Sequence, residues 1–285
     1  MTKYLITGAS GMLGRDLSSA LSGRDVTALG RADLDVTDAG AARQAVQGHD
    51  VVFNLAAYTK VDDAEAHEEE AYAVNAVGAG NLATAAAEAG ATLVQVSTDY
   101  VFNGSASSPY DESTPHDPIS AYGRTKAAGE ELVLRNNPDR SYVVRTAWLY
   151  GAHGPNFATT MLKLAAARET VSVVNDQFGQ PTWTLDLAEQ LVRLVDAEAP
   201  AGIYHGTNAG RASWFDFAQA VFVVAGLDPN RVKPTDSSTF VRPAPRPSFS
   251  VLGHDGWARA GLAPMRDWKD ALTAAEHAGV LSQPS

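Results

Sequence analysis

The sequence predicts an α/β protein in which helices cover both faces of a parallel sheet, followed by a smaller C-terminal α/β lobe. Three observations predict this fold: a glycine-rich turn between an apolar strand and a helix at the N-terminus, alternating strand and helix patterns up to about residue 150, and a looser pattern beyond it. Alternating strands and helices form parallel sheets, and right-handed crossovers place helices on both faces. The expected architecture is therefore a doubly wound sheet of the Rossmann type.

The first element is a short apolar strand, Lys3 to Thr7, that leads into a glycine-rich turn and a helix with leucines at helical spacing. This context is what a dinucleotide-binding fingerprint requires, because glycines let the backbone approach a pyrophosphate at the helix N-terminus. The spacing is GxxGxxG rather than GxGxxG, and the alternative is a loop before an ordinary helix. The expected cofactor contacts are Gly8, Ser10, Gly11, Met12, Leu13 and Gly14.

The rest of the first half continues the alternation. We predict strands at 25–29, 50–54, 91–97 and 141–146, and helices at 38–46, roughly 64–89, and from the Tyr122 region to about 136. Asp38 is a suitable residue to cap its helix. The carboxyl ends of parallel strands meet at one edge of a sheet, where ligands bind. The segments after these strands should therefore converge in space.

The second half predicts a helix at 156–167, a strand at 171–174, a helix from Thr184 or Asp186 to Val195, a strand at 202–205 and a helix at 213–225. We expect residues 1–150 and roughly 170–198 to form the cofactor-binding domain. Residues 151–169 and 199–285 should form the substrate lobe. The proline-rich segment 241–247 is either a solvated linker or, through its two arginines, a phosphate site.

Composition excludes several functional classes. The net charge of -11 argues against nucleic-acid binding, and the absence of cysteine excludes disulfides and zinc–thiolate sites. No apolar run approaches the roughly 20 residues of a membrane helix, and the N-terminus lacks a signal-peptide pattern. We expect a soluble cytoplasmic protein without membrane contact.

Tyr122 and Lys126 are the main candidates for chemistry. They lie four residues apart in a predicted helix, on the same face. A nearby ammonium lowers the pKa of a phenol, which can then protonate a carbonyl oxygen as hydride arrives at the carbon. The alternative is a surface lysine beside an aromatic ring. Thr98, at the end of the fourth strand, would bring a hydroxyl to the same sheet edge.

The glycine turn, the hydroxyl and Tyr-x-x-x-Lys together resemble the extended short-chain dehydrogenase/reductase family over nearly the whole chain. The segments Asn54–Asp62, Ser97–Gly104, Arg145–Gly151 and Asp176–Thr182 are similar to its dTDP-4-dehydrorhamnose reductase family. Those enzymes reduce the 4-keto group of dTDP-6-deoxy-L-lyxo-4-hexulose, which gives dTDP-L-rhamnose. The resemblance implies a dTDP-4-keto-6-deoxyhexose as the substrate.

The resemblance also implies roles for individual residues. Tyr122 would be the general acid, Lys126 would lower its pKa and bind the nicotinamide ribose, and Thr98 would bond the sugar oxygen unless it is only a strand-end cap. Val61 and Trp148 could instead be packing residues, and Asn156 at a helix start is a candidate for the diphosphate. The expected substrate contacts are Val61, Thr98, Asp99, Tyr100, Tyr122, Trp148, Asn156 and Arg242.

Cofactor choice depends on the end of the second strand. Arg31 there suits the 2′-phosphate of NADPH, whereas the nearby Asp33 and Asp35 leave NADH open as an alternative. The family pattern implies that Asp35 and Val36 contact the adenine. It also implies that the cofactor passes Ala56, Ala57, Tyr58, Tyr122 and Lys126. Asn75 would hold a cofactor-binding loop, or it is one polar residue on a helix face.

Tyr100 distinguishes this chain from sugar-nucleotide dehydratases, which resemble it but carry glutamate at that position. Dehydration is therefore not expected. A 4-epimerase, a reductase of another dTDP-4-keto-6-deoxyhexose and a non-catalytic NADP-binding regulatory subunit stay open, although the intact Thr98, Tyr122 and Lys126 argue against the last. Asp16 could contribute to a metal site, but Leu185 occupies the second position, so no metal is expected. A monomer and a homodimer are both compatible with the sequence.

Overall fold

A six-stranded parallel sheet forms the centre of the protein, with its strands in the order Gly202–His205, Ser141–Thr146, Thr92–Thr98, Val51–Asn54, Lys3–Thr7 and Asp25–Leu29. The structure is a computed structural model that describes residues 1–281; residues 282–285, the end of the expected lobe, lie outside this range. The first half contains β1 Lys3–Thr7, α1 Met12–Ala20, β2 Asp25–Leu29, α2 Ala39–Val46, β3 Val51–Asn54, α3 Glu68–Tyr72, α4 Ala79–Ala89, β4 Thr92–Thr98, α5 Ala121–Asn136 and β5 Ser141–Thr146. The predicted doubly wound α/β fold is confirmed.

The central strands are buried because helices cover both faces of the sheet. Every residue of β3 and β5 is buried, as expected for inner strands of a parallel sheet. One apolar layer packs below α1 and the later helix at 184–196 and includes Ile6, Leu17, Val94 and Leu191. The opposite layer packs below α2, α4 and α5 and includes Leu5, Val52, Leu82 and Leu93. This rigid sheet positions the strand ends where the candidate site lies.

The helix predicted at roughly 64–89 is interrupted. A 3-10 turn at Asp63–Glu65 precedes α3, and a π-helical segment, Ala73–Gly78, separates α3 from α4. Gly90 ends α4 in the left-handed conformation with φ 69°. π-helical segments occur mostly at functional sites, and this one carries Asn75. Alanine-rich periodicity alone does not reveal such a local change of winding.

The second half forms the smaller lobe. It contains β6 Leu149–Tyr150, α6 Phe157–Ala167, β7 Val171–Val174, β8 Phe178–Gly179, β9 Thr182–Trp183, α7 Thr184–Asp196, β10 Gly202–His205, β11 Ala212–Ser213, α8 Trp214–Val224, β12 Val232–Thr235, α9 Asp255–Arg259 and α10 Trp268–His277. The apolar core of the lobe lies between α6, α8 and α10 and includes Phe217, Phe222 and Trp268. Three two-stranded sheets join β6 to β9, β7 to β12 and β8 to β11.

Two segments differ from the expected division of the chain. β7 was expected in the cofactor-binding domain, but it pairs with β12 of the lobe. β10 was expected in the lobe, but it pairs with β5 and completes the central sheet. Tyr204 of β10 packs edge-to-face on Tyr142 of β5, with ring centroids 6.0 Å apart. This aromatic contact stabilises the pairing of β10 with the outer edge of β5. The division into two functional units otherwise stays a prediction.

Candidate functional site

A cavity of about 1140 Å³ opens at the carboxyl ends of the central strands. Ligands bind at this edge in doubly wound folds. Most of the residues predicted from the sequence meet there. The predicted residues in its wall are Gly8, Ser10, Gly11, Met12, Leu13, Gly14, Arg31, Asp35, Val36, Ala56, Ala57, Tyr58, Val61, Thr98, Asp99, Tyr100, Tyr122, Lys126 and Trp148.

The glycine turn between β1 and α1 is shaped for a close approach to the backbone. Gly8 has a φ of +69°, and a Cβ on it would lie 2.8 Å from the backbone nitrogen of Ala56. A Cβ on Gly14 would lie 2.6 Å from the carbonyl oxygen of Gly8. The N-cap Gly11 makes no side-chain cap bond, and the first turn of α1 has no acidic residue. Its amides can therefore receive a diphosphate, which fits a dinucleotide cofactor.

Asp33 and Asp35, the two carboxylates that could bind a ribose, both accept hydrogen bonds from their own loop after β2. The amide of Gly30 donates to Asp33 Oδ2 at 2.8 Å, whereas Asp35 Oδ1 accepts from the amide and hydroxyl of Thr37 at 2.9 and 2.7 Å. These hydrogen bonds hold the pKa of Asp35 below its usual value, with a smaller effect from Arg31. Arg31 is exposed at the cavity wall. Carboxylates that stabilise their own loop are poorly placed to bind ribose hydroxyls, whereas the guanidinium suits a phosphate.

Two asparagines fix the loop after β3. Asn54 accepts a hydrogen bond from Thr7 at 2.6 Å and donates to Gln95 at 2.6 Å, so it links the ends of β1, β3 and β4. The Asn75 side chain accepts from the Tyr58 amide at 2.8 Å and donates to the Tyr58 carbonyl at 3.2 Å. Asn75 is not in the cavity wall. It holds the loop that forms the wall, which is the position expected of a residue that fixes a cofactor-binding loop.

Thr98, Tyr122 and Lys126 meet where β4 approaches α5. Ser120 caps α5 by accepting from the amide of Gly123, which fixes the start of the helix two residues before Tyr122. The Thr98 hydroxyl donates to Asp99 Oδ1 at 3.0 Å and lies near enough to Tyr122 to influence its pKa, and Lys126 Nζ donates to the carbonyl of Val96 at 2.7 Å. The ring of Tyr100 contacts that of Tyr122 edge-on, with centroids 5.7 Å apart. The phenol is thus held in a defined position at the cavity.

The pKa of Tyr122 is raised overall in this structure, whereas the sequence predicted a lowered value. Loss of water around the phenol raises the pKa of Tyr122 to about 12, the charge of Asp99 adds to the rise, and the nearby Thr98 hydroxyl opposes it. Burial lowers the pKa of Lys126 to about 8, against the charge of Glu130. At neutral pH Tyr122 is therefore protonated and Lys126 is mostly charged. A protonated phenol is the form that a proton donor requires.

Buried carboxylates lie behind this group. Burial raises the pKa of Asp99 to about 6, although the hydroxyls of Ser250 and Thr98 act in the opposite direction. Glu130, one turn after Lys126, is fully buried and accepts from Ser97 at 2.5 Å and from Arg145 Nη2 at 2.7 Å. The Glu130 cluster joins α5 to β4 and β5. It therefore fixes the distance between the helix that carries Tyr122 and the strand that carries Thr98.

Trp148 forms the wall at the other end of the cavity. Its φ of +46° is unusual for a residue other than glycine, and such a backbone costs about 1–3 kcal/mol that the surrounding contacts must offset. Its ring stacks on Trp214 with centroids 3.6 Å apart and an angle of 9° between the planes. The alternative reading of Trp148 as a packing residue is thus partly right, because the indole both packs and lines the cavity.

Two predicted substrate contacts lie outside the cavity wall. Asn156 caps α6 by accepting from the amide of Thr159 at 3.0 Å, and it donates to the carbonyl of Gly151 at 2.9 Å. Both ends of its amide are therefore used within its own loop. Arg242 is largely exposed and lies 3.6 Å from Asp62. The expected contacts of these two residues with substrate are not supported by their positions.

The sequence did not single out Arg246 or the loop at 152–155 as parts of the site. Arg246, in the same proline-rich segment as Arg242, forms a two-point ion pair with Asp62 at 2.8 and 3.0 Å and is much less exposed. It influences the pKa of Tyr100 electrostatically, which locates it near the cavity. Residues 152–155 also line the cavity. Arg246 was identifiable only as one of two arginines between prolines, and the 152–155 loop has no motif.

Comparisons with known proteins agree with this site. The model of the RmlD substrate binding domain family matches residues 2–278. A "dTDP-4-dehydrorhamnose reductase" from Streptomyces griseus is 53% identical over 95% of this chain and 92% of its own length. A "dTDP-4-keto-6-deoxy-D-glucose reductase" from Streptomyces niveus is 50% identical over 96% of both chains.

Solved structures agree as well. The crystal structure of a dTDP-4-dehydrorhamnose reductase from Bacillus anthracis, in complex with NADP, has a TM-score of 0.94 and 38% identity and covers 98% of this chain and 100% of that one. Among residues 1–281, no helix is both long and apolar enough to cross a membrane. The family predicted from the sequence motifs is confirmed. The chain belongs to the RmlD substrate binding domain family and is an oxidoreductase with a Rossmann-type fold.

Proposed function

We propose that the protein reduces the 4-keto group of dTDP-6-deoxy-L-lyxo-4-hexulose with NADPH, which gives dTDP-L-rhamnose. The observation that carries the proposal is the meeting of Thr98, Tyr122 and Lys126 at the cavity whose other end is the glycine turn. The names of the relatives from Streptomyces griseus and Bacillus anthracis support the activity, and the NADP in the latter structure supports the cofactor. A cytoplasmic location stays a prediction.

The glycine turn would hold the cofactor diphosphate, and Arg31 would bind the 2′-phosphate. NADPH, when bound, supplies the hydride to C4 of the sugar. Tyr122 would donate its proton to the C4 oxygen, because its raised pKa keeps the phenol protonated at neutral pH. Thr98 would orient the same oxygen, and the Lys126 ammonium would stabilise the phenolate that remains. Tyr122 then regains a proton from solvent.

A reductase of another dTDP-4-keto-6-deoxyhexose is the second candidate. The relative from Streptomyces niveus is nearly as similar as the one from Streptomyces griseus, but its name specifies a different keto sugar. The two keto sugars differ in ring stereochemistry, which Tyr100, Trp148 and the neighbouring loops would have to distinguish. A non-catalytic regulatory role is disfavoured because the three reactive side chains are intact.

The test is to mix the purified protein with NADPH and each of the two dTDP-4-keto sugars in turn. We expect the absorbance of NADPH to fall only when the protein and dTDP-6-deoxy-L-lyxo-4-hexulose are present together. The product should co-elute with dTDP-L-rhamnose. A higher kcat/KM for dTDP-4-keto-6-deoxy-D-glucose would instead establish the second candidate. Tight NADPH binding without turnover of either sugar would refute both.

A further inference from the structure

The indole of Trp148 is held from two sides by residues that do not line the cavity. Trp214, the first residue of α8, stacks on it with centroids 3.6 Å apart. Gly179, in β8, approaches it so closely that a Cβ would lie 2.6–2.8 Å from three indole atoms. Real Cβ atoms essentially never come within 3.0 Å of another heavy atom. Any side chain at residue 179 would therefore displace the ring.

One small sheet positions both of these neighbours. β8 pairs with β11, with Gly179 opposite Ala212 and Phe178 opposite Ser213. Ser213 then caps α8: its hydroxyl accepts from the amide of Asp216 at 3.0 Å, and its own amide donates to Asp216 Oδ2 at 2.9 Å. Trp214 follows this cap directly. The position of the Trp214 ring is thus set by backbone pairing and a capping box, whereas Gly179 lies on the paired strand.

The backbone of Trp148 needs this support. Its φ of +46° is a conformation that bulky residues adopt only when the surroundings impose it. The carbonyl of Trp148 accepts from the amide of Thr182 at 3.2 Å, which adds a backbone restraint to the two ring contacts. Phe157 packs on the Trp214 ring with centroids 4.6 Å apart and holds it in turn.

We propose that Trp214 and Gly179 are positioning residues that fix the Trp148 indole as a preformed wall of the sugar-nucleotide site, and so set the affinity for the substrate. This inference rests on the proposed function, in which Trp148 contacts the sugar nucleotide. A free indole with two rotatable side-chain bonds would lose entropy on binding, whereas an indole already held in place would not. The contribution should therefore appear in substrate affinity and hardly at all in cofactor affinity.

The experiment compares Trp214→Leu, Trp214→Phe and Gly179→Ala with wild type. We expect Trp214→Leu and Gly179→Ala to raise the KM for the keto sugar and the Kd for dTDP-L-rhamnose by about 2- to 10-fold, the range that corresponds to aromatic pair energies. The Kd for NADPH should stay within about twofold. Trp214→Phe retains an aromatic face and should restore most of the affinity.

A matched control is Phe222→Leu. Phe222 is fully buried in the same apolar core, so this variant should lower Tm comparably while leaving the Kd for dTDP-L-rhamnose unchanged. Stacked indoles couple optically, so the near-ultraviolet circular dichroism of wild type should contain a couplet that Trp214→Leu and Trp214→Phe both lose.

Two results would overturn the proposal. One is an active wild type together with a Trp214→Leu variant that binds dTDP-L-rhamnose as tightly as wild type. The other is a Phe222→Leu variant that weakens dTDP-L-rhamnose binding as much as Trp214→Leu does, since the effect would then be general loss of core packing. A wild type that binds NADPH but neither binds dTDP-L-rhamnose nor reduces a keto sugar would refute the proposed function, and the positioning role with it.

Discussion

The two ends of the cavity are built by different means. At the end proposed for the cofactor the contact surface is largely backbone: Gly8 and Gly14 allow the chain to pass within van der Waals distance of itself, and the amides of α1 are free of side-chain caps. At the end proposed for the sugar the wall includes the side chains of Tyr100 and Trp148, held by segments far apart in sequence. The comparison teaches that the cofactor end depends on a short continuous motif, whereas the sugar end depends on the packing of the lobe.

Tyr122 lies between the two ends, and its removal should have the largest effect. We expect Tyr122→Phe to reduce kcat by about 10²–10⁴-fold, the usual contribution of a general acid. Affinity for both ligands should change little, because the ring and the start of α5 remain. Stopped-flow and steady-state NADPH oxidation would measure the rate. Tyr72→Phe, at an exposed position on α3, is the control. Full activity in Tyr122→Phe would mean that another group supplies the proton.

The second prediction compares Arg242 and Arg246, the two arginines of the proline-rich segment 241–247, in their effect on substrate affinity. Arg246 is half-buried and paired with Asp62 at 2.8 Å, whereas Arg242 is 3.6 Å from Asp62 and exposed. We expect Arg246→Ala to raise the KM for the keto sugar by about 10- to 100-fold, since it removes two charged hydrogen bonds from Asp62 and leaves that carboxylate with only the weaker Arg242 contact and one backbone amide. Arg242→Ala should change it by less than about fivefold. Equal effects would show that the segment acts only as a linker.

The third prediction concerns the cofactor end. Arg31→Ala should weaken NADPH by about 5- to 10-fold, the size of one exposed charged contact, and leave NADH affinity unchanged. The KM for the sugar should not move, which is the reverse of the result for Arg246→Ala. Fluorescence titration with both nucleotides would measure this. Arg43→Ala, which removes an exposed ion pair with Glu88, is the control. A parallel loss of NADH affinity would refute the 2′-phosphate contact.

The smallest effect should be the pH dependence near neutrality. The pKa of Lys126 is lowered to about 8, so its ammonium is present below that pH and is lost as the pH rises through it. We expect kcat to fall by about twofold between pH 7 and 8 and more steeply above. Lys126→Arg, which keeps its charge, should be less active but should lack this alkaline limb. A wild-type profile that is flat to pH 9.5 would contradict a required ammonium.

The parts of the site that sequence predicted are those determined locally. The turn from Gly8 to Gly14 and the four-residue spacing of Tyr122 and Lys126 are properties of short segments, and the structure brings them to one cavity. The same holds for the helix cap Asp38. The order of strands and helices followed from alternation of apolar patterns. The wall residues Asp35, Val36 and Val61 followed from the family pattern.

The parts that were missed depend on contacts between distant segments. Whether β7 or β10 joins the central sheet is decided by partners 61 and 60 positions away in the registers Val171 to Val232 and Gly202 to Tyr142. The choice between Arg242 and Arg246 depends on which one reaches Asp62. The pKa of Tyr122 was predicted with the wrong sign because desolvation, which no spacing shows, raises it and the charge of Asp99 adds to the rise.

The position of β10 in the central sheet has a consequence for how the chain folds during synthesis. Helices cover the faces of β5, and β10 covers its outer edge. A nascent chain or fragment that stops before residue 202 would leave that strand edge open, and open edges recruit other strands. A cofactor-binding half expressed alone should therefore aggregate unless residues 202–205 are supplied. During synthesis, the central sheet is complete only after β10 has been made, which follows β6 to α7 in the chain.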